Sequence, residues 1–364
     1  MTKKPRSHSS WFSGFPVRLL TAALLTVFGA GAAAAQTLAY VSDTFGAVHV
    51  LDTATNTVVA TVPVGGEPGN LAATPNGAFV YVADTLNGKV SVIAVATNTV
   101  VATVAVDQPR RIAFSPNGAL AYVTSSALNA DNVAELSVID TAKVKVVDTI
   151  PIAQGLDGVG VTPDGASVWV GAEDANVYVV DTATNTVAAT ISSGGLVNGL
   201  AITPDGAFVY ATSAPSAAVT AISTATQTVV AIIPGLFAFD VAVTPDSAFA
   251  YVPLFVNDVA VIDTTTNTVA ATVTPGGNPV FVAITPDGAF AYVTDLDGQV
   301  RVIDTATNTV TAAPPVGTTL AGIDILIKPA SPTTKAQCLN DGWATFSNPS
   351  FANQGRCISY VNRL

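Results

Sequence analysis

Residues 283–311 read AITPDGAFAYVTDLDGQVRVIDTATNTVT. Ile284 leads into a turn at Pro286-Asp287-Gly288, and residues 290–294 form the next apolar run. A second turn lies at Asp297-Gly298, a third run follows, and a third turn spans residues 304–308 before Thr309 opens a last short run. Proline fixes the φ that begins a turn, and Asp-Gly or Asn-Gly supplies the left-handed positions that complete it. The stretch therefore predicts four short strands joined by three tight turns.

Versions of this phrase recur along the chain. The [TSK]-Pro-x-Gly turn stands at Pro75, Pro116, Pro163, Pro204, Pro245 and Pro286, with a worn copy at Pro329. The spacings are 41, 47, 41, 41, 41 and 43 residues. A period in the low forties is the length of one four-stranded propeller blade. Asp246-Ser247 replaces the usual Asp-Gly or Asn-Gly, so Ser247 is expected to carry strain if its φ is positive. The Asp-Thr-Ala-Thr-Asn-Thr turn is complete at Asp52, Asp181 and Asp304, nearly so at Asp263, and degraded at Ala94, Asp140 and Ser223. Its side chains can bond local backbone N–H groups, which explains the motif without a ligand.

Runs such as Phe79-Val80-Tyr81-Val82 and Phe208-Val209-Tyr210-Ala211 do not alternate with polar residues. Such strands need cover on both faces, which neighbouring blades provide. Helical periodicity is absent after residue 35.

The phrases AYVTDLDGQVRVIDTATNTV and GLAITPDGAFVY resemble the YVTN β-propeller repeat of bacterial and archaeal surface and secreted proteins. More distantly they are similar to lactonase-type propellers and to the propeller of nitrous oxide reductase. The likeness covers residues 38–329 and implies that the strand leading into each Pro-x-Gly turn is innermost. The repeats then begin with a second-type strand at Leu38 and end with an innermost-type strand at residues 322–327. The expected fold is all-β: a seven-bladed propeller of four-stranded antiparallel blades, the first blade completed by the last repeat strand. Such closure removes two open sheet edges. The third blade carries six extra residues within 126–135, read as a spacer loop or a binding loop.

Four domains are expected: a signal peptide over 1–35, the propeller over 36–329, a linker over 330–337 and a cysteine-containing tail module over 338–364. The leader has basic Lys3, Lys4, Arg6 and Arg18, an apolar core at 19–29 and Ala33-Ala34-Ala35 before Gln36. An uncleaved anchor is the alternative. Either way the chain is expected to be exported to the periplasm, the cell surface or the medium, with no membrane span in the mature part. Cys338 and Cys357, the only cysteines, are expected to form one disulfide in that setting. The tail also holds Trp343, Phe346, Phe351 and Tyr360, either packed on one another or offered to a partner.

Net charge is −11, and without the four basic leader residues it is −15. An acidic surface repels phosphate backbones, which argues against nucleic acid as a partner. Only 11% of residues are charged, against an average of about 25%.

Catalytic chemistry is thin. His49 is the only histidine after the leader and lies in an apolar strand. No nucleophile elbow, Walker loop or dinucleotide fingerprint is present. The one constellation comes from phasing the repeats: positions five and six residues before each marker proline should open the innermost strands at the channel mouth. They collect Asn70, Arg110, Arg111, Asp157, Asn198, Asp240 and Asp324, with Gly69, Gly158, Gly199, Val280 and Phe281 elsewhere on the rim. Three readings stand. The first is a rim that is simply polar and internally paired. Asp157, Asp240 and Asp324 could hold a hard cation such as Ca²⁺, the one cofactor in view. Arg110 and Arg111 could grip a carboxylate or phosphate.

These features point to a non-catalytic exported propeller that binds a protein or cell-envelope partner, with a small ligand as a further possibility. The alternatives are a metal-assisted lactonase or lyase using the channel-mouth carboxylates, and an accessory propeller of a periplasmic redox system.

Overall fold

The computed structural model describes residues 36–129 and 131–329. Among them are seven four-stranded antiparallel sheets and no helix. Six sheets follow chain order from the inside outward. Their innermost strands are Pro68–Ala73, Pro109–Phe114, Leu156–Val161, Gly199–Ile202, Ala242–Val243 and Pro279–Ile284. The first blade takes its innermost strand from the far end of the repeats: Leu320–Lys328 pairs with Gln36–Asp43, setting Tyr40 opposite Asp324 and Leu38 opposite Leu326. The innermost strands touch in cyclic order and the last meets the first, so the ring is closed. The leader, Cys338, Cys357, the linker and the tail lie outside the described residues.

The core follows from the sheet faces. Seven apolar clusters occur, one at each junction between adjacent blades. The second strand of each blade is buried on both faces, as its unbroken apolar run requires. The outermost strands differ from the two-sided expectation. Val58, Val59, Val100, Val101 and Val230 are exposed. Blades diverge with distance from the axis, so the rim strand has no neighbour to cover its faces.

Recurring polar latches join the blades. At four of the seven junctions the second-strand tyrosine of one blade donates to the asparagine that ends the corresponding turn of the next. Tyr40 bonds Asn98 at 2.6 Å, Tyr210 bonds Asn267 at 2.6 Å, and Tyr251 bonds Asn308 at 2.7 Å. Each of these asparagines has φ between 52 and 54°, a left-handed conformation that Asn tolerates. The turn's second residue ties it to the Pro-x-Gly turn of its own blade: Thr305 donates to the Gly288 carbonyl and Thr264 to that of Ser247. The motif is thus explained by structure alone.

Ser247 does adopt a positive φ, 63°. Its hydroxyl accepts the N–H of Asp205 from the preceding blade at 3.0 Å, an interaction that glycine could not make and that offsets the strain. The long connection at 126–135 folds on Asn129. The Asn129 side-chain Oδ1 accepts the N–H groups of Asp131 and Val133, and its Nδ2 donates to Glu135.

Candidate functional site: the axial pocket

Chain direction fixes what gathers at each end of the channel. The innermost strands begin at one end, where the connections between second and third strands also lie. The Pro-x-Gly and Asp-Thr-Ala-Thr-Asn turns lie at the other. At the first end a cavity of about 330 Å³ sits on the axis. Asn70, Arg110, Arg111, Asp157 and Asn198 line it, each from the start of an innermost strand or the residue before it. Phe239, Phe255, Val280, Phe281 and Leu296 form an apolar side.

Arg111 organises the floor. It leaves blade three and reaches blades four, six and seven. Its Nε donates to Asp157 at 3.2 Å, its Nη1 to Asp240 at 2.6 Å and its Nη2 to the Phe239 carbonyl at 2.7 Å. Its guanidinium carbon stands 5.2 Å from the centre of the Phe281 ring. The planar fork suits this set of acceptors, which a lysine could not match. Burial works against the charge of Arg111, but Asp240 and Asp157 outweigh it and hold the guanidinium above its ordinary value. Asp240 is pushed upward by burial, a rise that Arg111 and the Val282 N–H only partly offset. The residue therefore braces the channel from one side to the other.

Asp157 also meets Arg110, whose Nη2 is 3.4 Å away. The Arg110 side chain is 41% exposed, against 11% for Arg111, so Arg110 is the cationic group that solvent and ligands reach.

Several rim residues serve the backbone. Innermost strands have one unpaired edge toward the channel, and side chains of the preceding blade satisfy it. Asn70 accepts the Ile112 N–H at 3.3 Å, Asp240 the Val282 N–H at 3.1 Å and Asp324 the Ala73 N–H at 2.7 Å. Asn198 accepts the Ala214 N–H at 3.1 Å.

Asp324 does not join the rim group. It pairs with Tyr40, as Ala72 pairs with Tyr81 and Ala283 with Tyr292. It therefore sits two residues deeper than Asn70 or Asp240 and lines a different cavity, among the Pro-x-Gly turns. The proline that led to it, Pro329, is two residues beyond the true marker position, which Ile327 occupies. Burial raises the Asp324 carboxyl to about 6.

The three carboxylates considered for Ca²⁺ are thus not convergent. Asp157 and Asp240 both face Arg111, and among the described residues no three His, Cys, Asp or Glu side chains are grouped to hold a metal ion. His49 is not a lining residue. Its Nδ1 is 3.1 Å from the Thr61 hydroxyl and its Nε2 is 3.5 Å from Asp43.

Sequence reasoning missed the aromatic wall. Phe237, Phe239 and Phe255 pack edge to face with centroids 5.6–5.8 Å apart. The available signal was the phrase Gly235-Leu236-Phe237-Ala238-Phe239-Asp240, with Phe239 where other blades carry Gly69, Arg110, Asp157, Asn198 or Val280.

No family model matches the chain, and no curated protein matches it. Solved structures do. Hydrazine synthase of Kuenenia stuttgartiensis is 21% identical with a TM-score of 0.63 over 69% of this chain and 87% of that one. A functionally unknown protein of Desulfotomaculum acetoxidans is 16% identical with a TM-score of 0.69 over 80% and 99%. The dihydro-heme d1 dehydrogenase NirN, in complex with DHE, is 19% identical with a TM-score of 0.61 over 79% and 74%. At these identities the likeness is one of fold.

Proposed function

We propose that this chain is an exported, non-catalytic binding propeller of the YVTN type, and that its axial pocket faces the ligand or partner. One observation carries the reading: both carboxylates at the channel mouth are engaged by Arg111. General acid–base or metal-assisted chemistry needs a carboxylate that can give up its protein partner to a proton, a water or a metal. Here that step would leave a buried guanidinium uncompensated, which is strongly unfavourable. A rigid cup with an apolar wall and a few placed polar groups is instead suited to binding. The basic and apolar leader supports export, and the quoted repeat phrases support the family resemblance.

The test is a lactone-hydrolysis and lyase screen on purified protein, with and without added Ca²⁺, run beside Asp157→Ala and Asp240→Ala. The expected result is no turnover. Turnover that disappears in those variants would establish the enzyme reading in its place.

A further inference from the structure

We propose that the axial pocket takes a small organic carboxylate with a flat apolar body. This rests on reading the pocket as a binding site, and the argument comes from which hydrogen-bonding groups around it remain without partners.

The side-chain acceptors that face the pocket are engaged. Asp157 meets Arg111 and Arg110 through its two oxygens. Asp240 meets Arg111 and the Val282 N–H. The amide oxygens of Asn70 and Asn198 each accept a backbone N–H. Those two bonds also fix which way each amide points, because only the oxygen can accept. Their Nδ2 groups therefore face away from the backbone donors and have no acceptor among the described residues. Arg110 has one long contact, from Nη2, and its other donors have no partner among the described residues. Unbonded donors thus stand on three separate blades, beside an apolar wall of Phe239, Phe255 and Phe281.

A ligand that satisfies this set must present acceptors at one end and apolar area at the other. A planar carboxylate suits a guanidinium that can donate through two N–H groups. Edge-to-face rings accept a further ring readily. The protein's charge of −11 disfavours a polyanion such as a nucleotide triphosphate, which leaves a singly charged head. A cationic ligand would meet the exposed charge of Arg110, which repels it.

The test uses three probes of one shape and different charge: naphthoate, naphthylmethanol and naphthylmethylammonium, titrated calorimetrically into purified protein at neutral pH. Naphthoate is expected to bind at one site, at least about tenfold more tightly than naphthylmethanol, with no binding of the ammonium. Arg110→Gln should erase the preference for the acid while leaving the thermal midpoint unchanged, since the side chain is largely exposed. Phe255→Ala should weaken all binding.

If the alcohol or the ammonium binds as well as the acid, and Phe255→Ala removes that binding, the proposed ligand class is wrong while the pocket stands as a binding site. If naphthoate binding is absent, or survives Arg110→Gln unchanged, the proposal is overturned. The turnover screen reads the non-catalytic assignment separately.

Discussion

Tyr292 donates a 2.7 Å hydrogen bond to the Asn56 side chain, so the seventh blade is latched to the first across the junction where the first and last strands of the repeats meet. Tyr292 also contacts the Thr53 carbonyl at 3.2 Å. The ring is thus closed twice, by the pairing of Leu320–Lys328 with Gln36–Asp43 and by this tyrosine. Tyr292→Phe should cost about 1 kcal/mol, the usual net value of one hydrogen bond. Asn56→Ala should cost more, because Asn56 also holds a φ of 53° that alanine resists. Urea unfolding of both single variants and the double variant gives the coupling energy. A coupling near zero would mean that the latch does not hold the junction.

The same turn position is occupied by Val144 in the third blade, at a φ of 51°. A β-branched residue there is strained and cannot accept a hydrogen bond. Burial raises the pKa of Tyr81, its counterpart in the second blade. Val144→Asn should relieve the strain and supply the missing acceptor, for a gain of about 1 kcal/mol. A destabilised variant would show that the packing of Val144 against the junction cluster outweighs both effects.

Removing the brace should be costly. Arg111→Met strands Asp240 and leaves Asp157 only its long contact with Arg110, and breaking such a buried pair costs about 3–5 kcal/mol. The deficit should shrink as pH falls, because an unpaired buried carboxylate is tolerated once protonated. Arg111→Met combined with Asp240→Leu should recover part of the loss. A deficit that is small and independent of pH would contradict the brace.

Asp324 gives a second pH dependence. An unfolded aspartate releases its proton near pH 3.9, whereas the folded group holds it to about 6. Between those values the folded chain binds more protons, so stability falls as pH rises through this window. The contribution is fully present below the lower value and lost above the upper one. Asp324→Asn should therefore match the parent in acid and exceed it by about 3 kcal/mol above pH 7. Parallel stability curves across the range would rule out this assignment.

Much of the fold could be read from the chain because each turn repeats its own chemistry. Six marker prolines set the phase, and Asp287-Gly288 or Asn76-Gly77 fixes the local conformation without help from distant residues. The candidate site was legible only in part. Asn70, Arg110, Arg111, Asp157 and Asn198 do gather in one pocket, since position within a blade dictates height along the axis. Asp324 was misplaced because Pro329 looks like a marker but lies two residues late. That Arg111 crosses from blade three to Asp240 in blade six could not be read, because periodicity gives height and angle but not how far a side chain extends across the axis. The aromatic wall escaped for a related reason: its phenylalanines Phe237, Phe239 and Phe255 belong to the one blade whose innermost strand is reduced to Ala242–Val243.

The most direct test of the account is the hydrogen exchange of the arginine side chains in ¹⁵N-labelled protein at neutral pH. If Arg111 braces the channel, its guanidinium N–H groups should be distinct and slow to exchange, while those of Arg110 average and exchange rapidly. Arg111 protons that exchange as fast as those of Arg110 would leave Asp157 and Asp240 free for chemistry, and the non-catalytic reading of the pocket would fail.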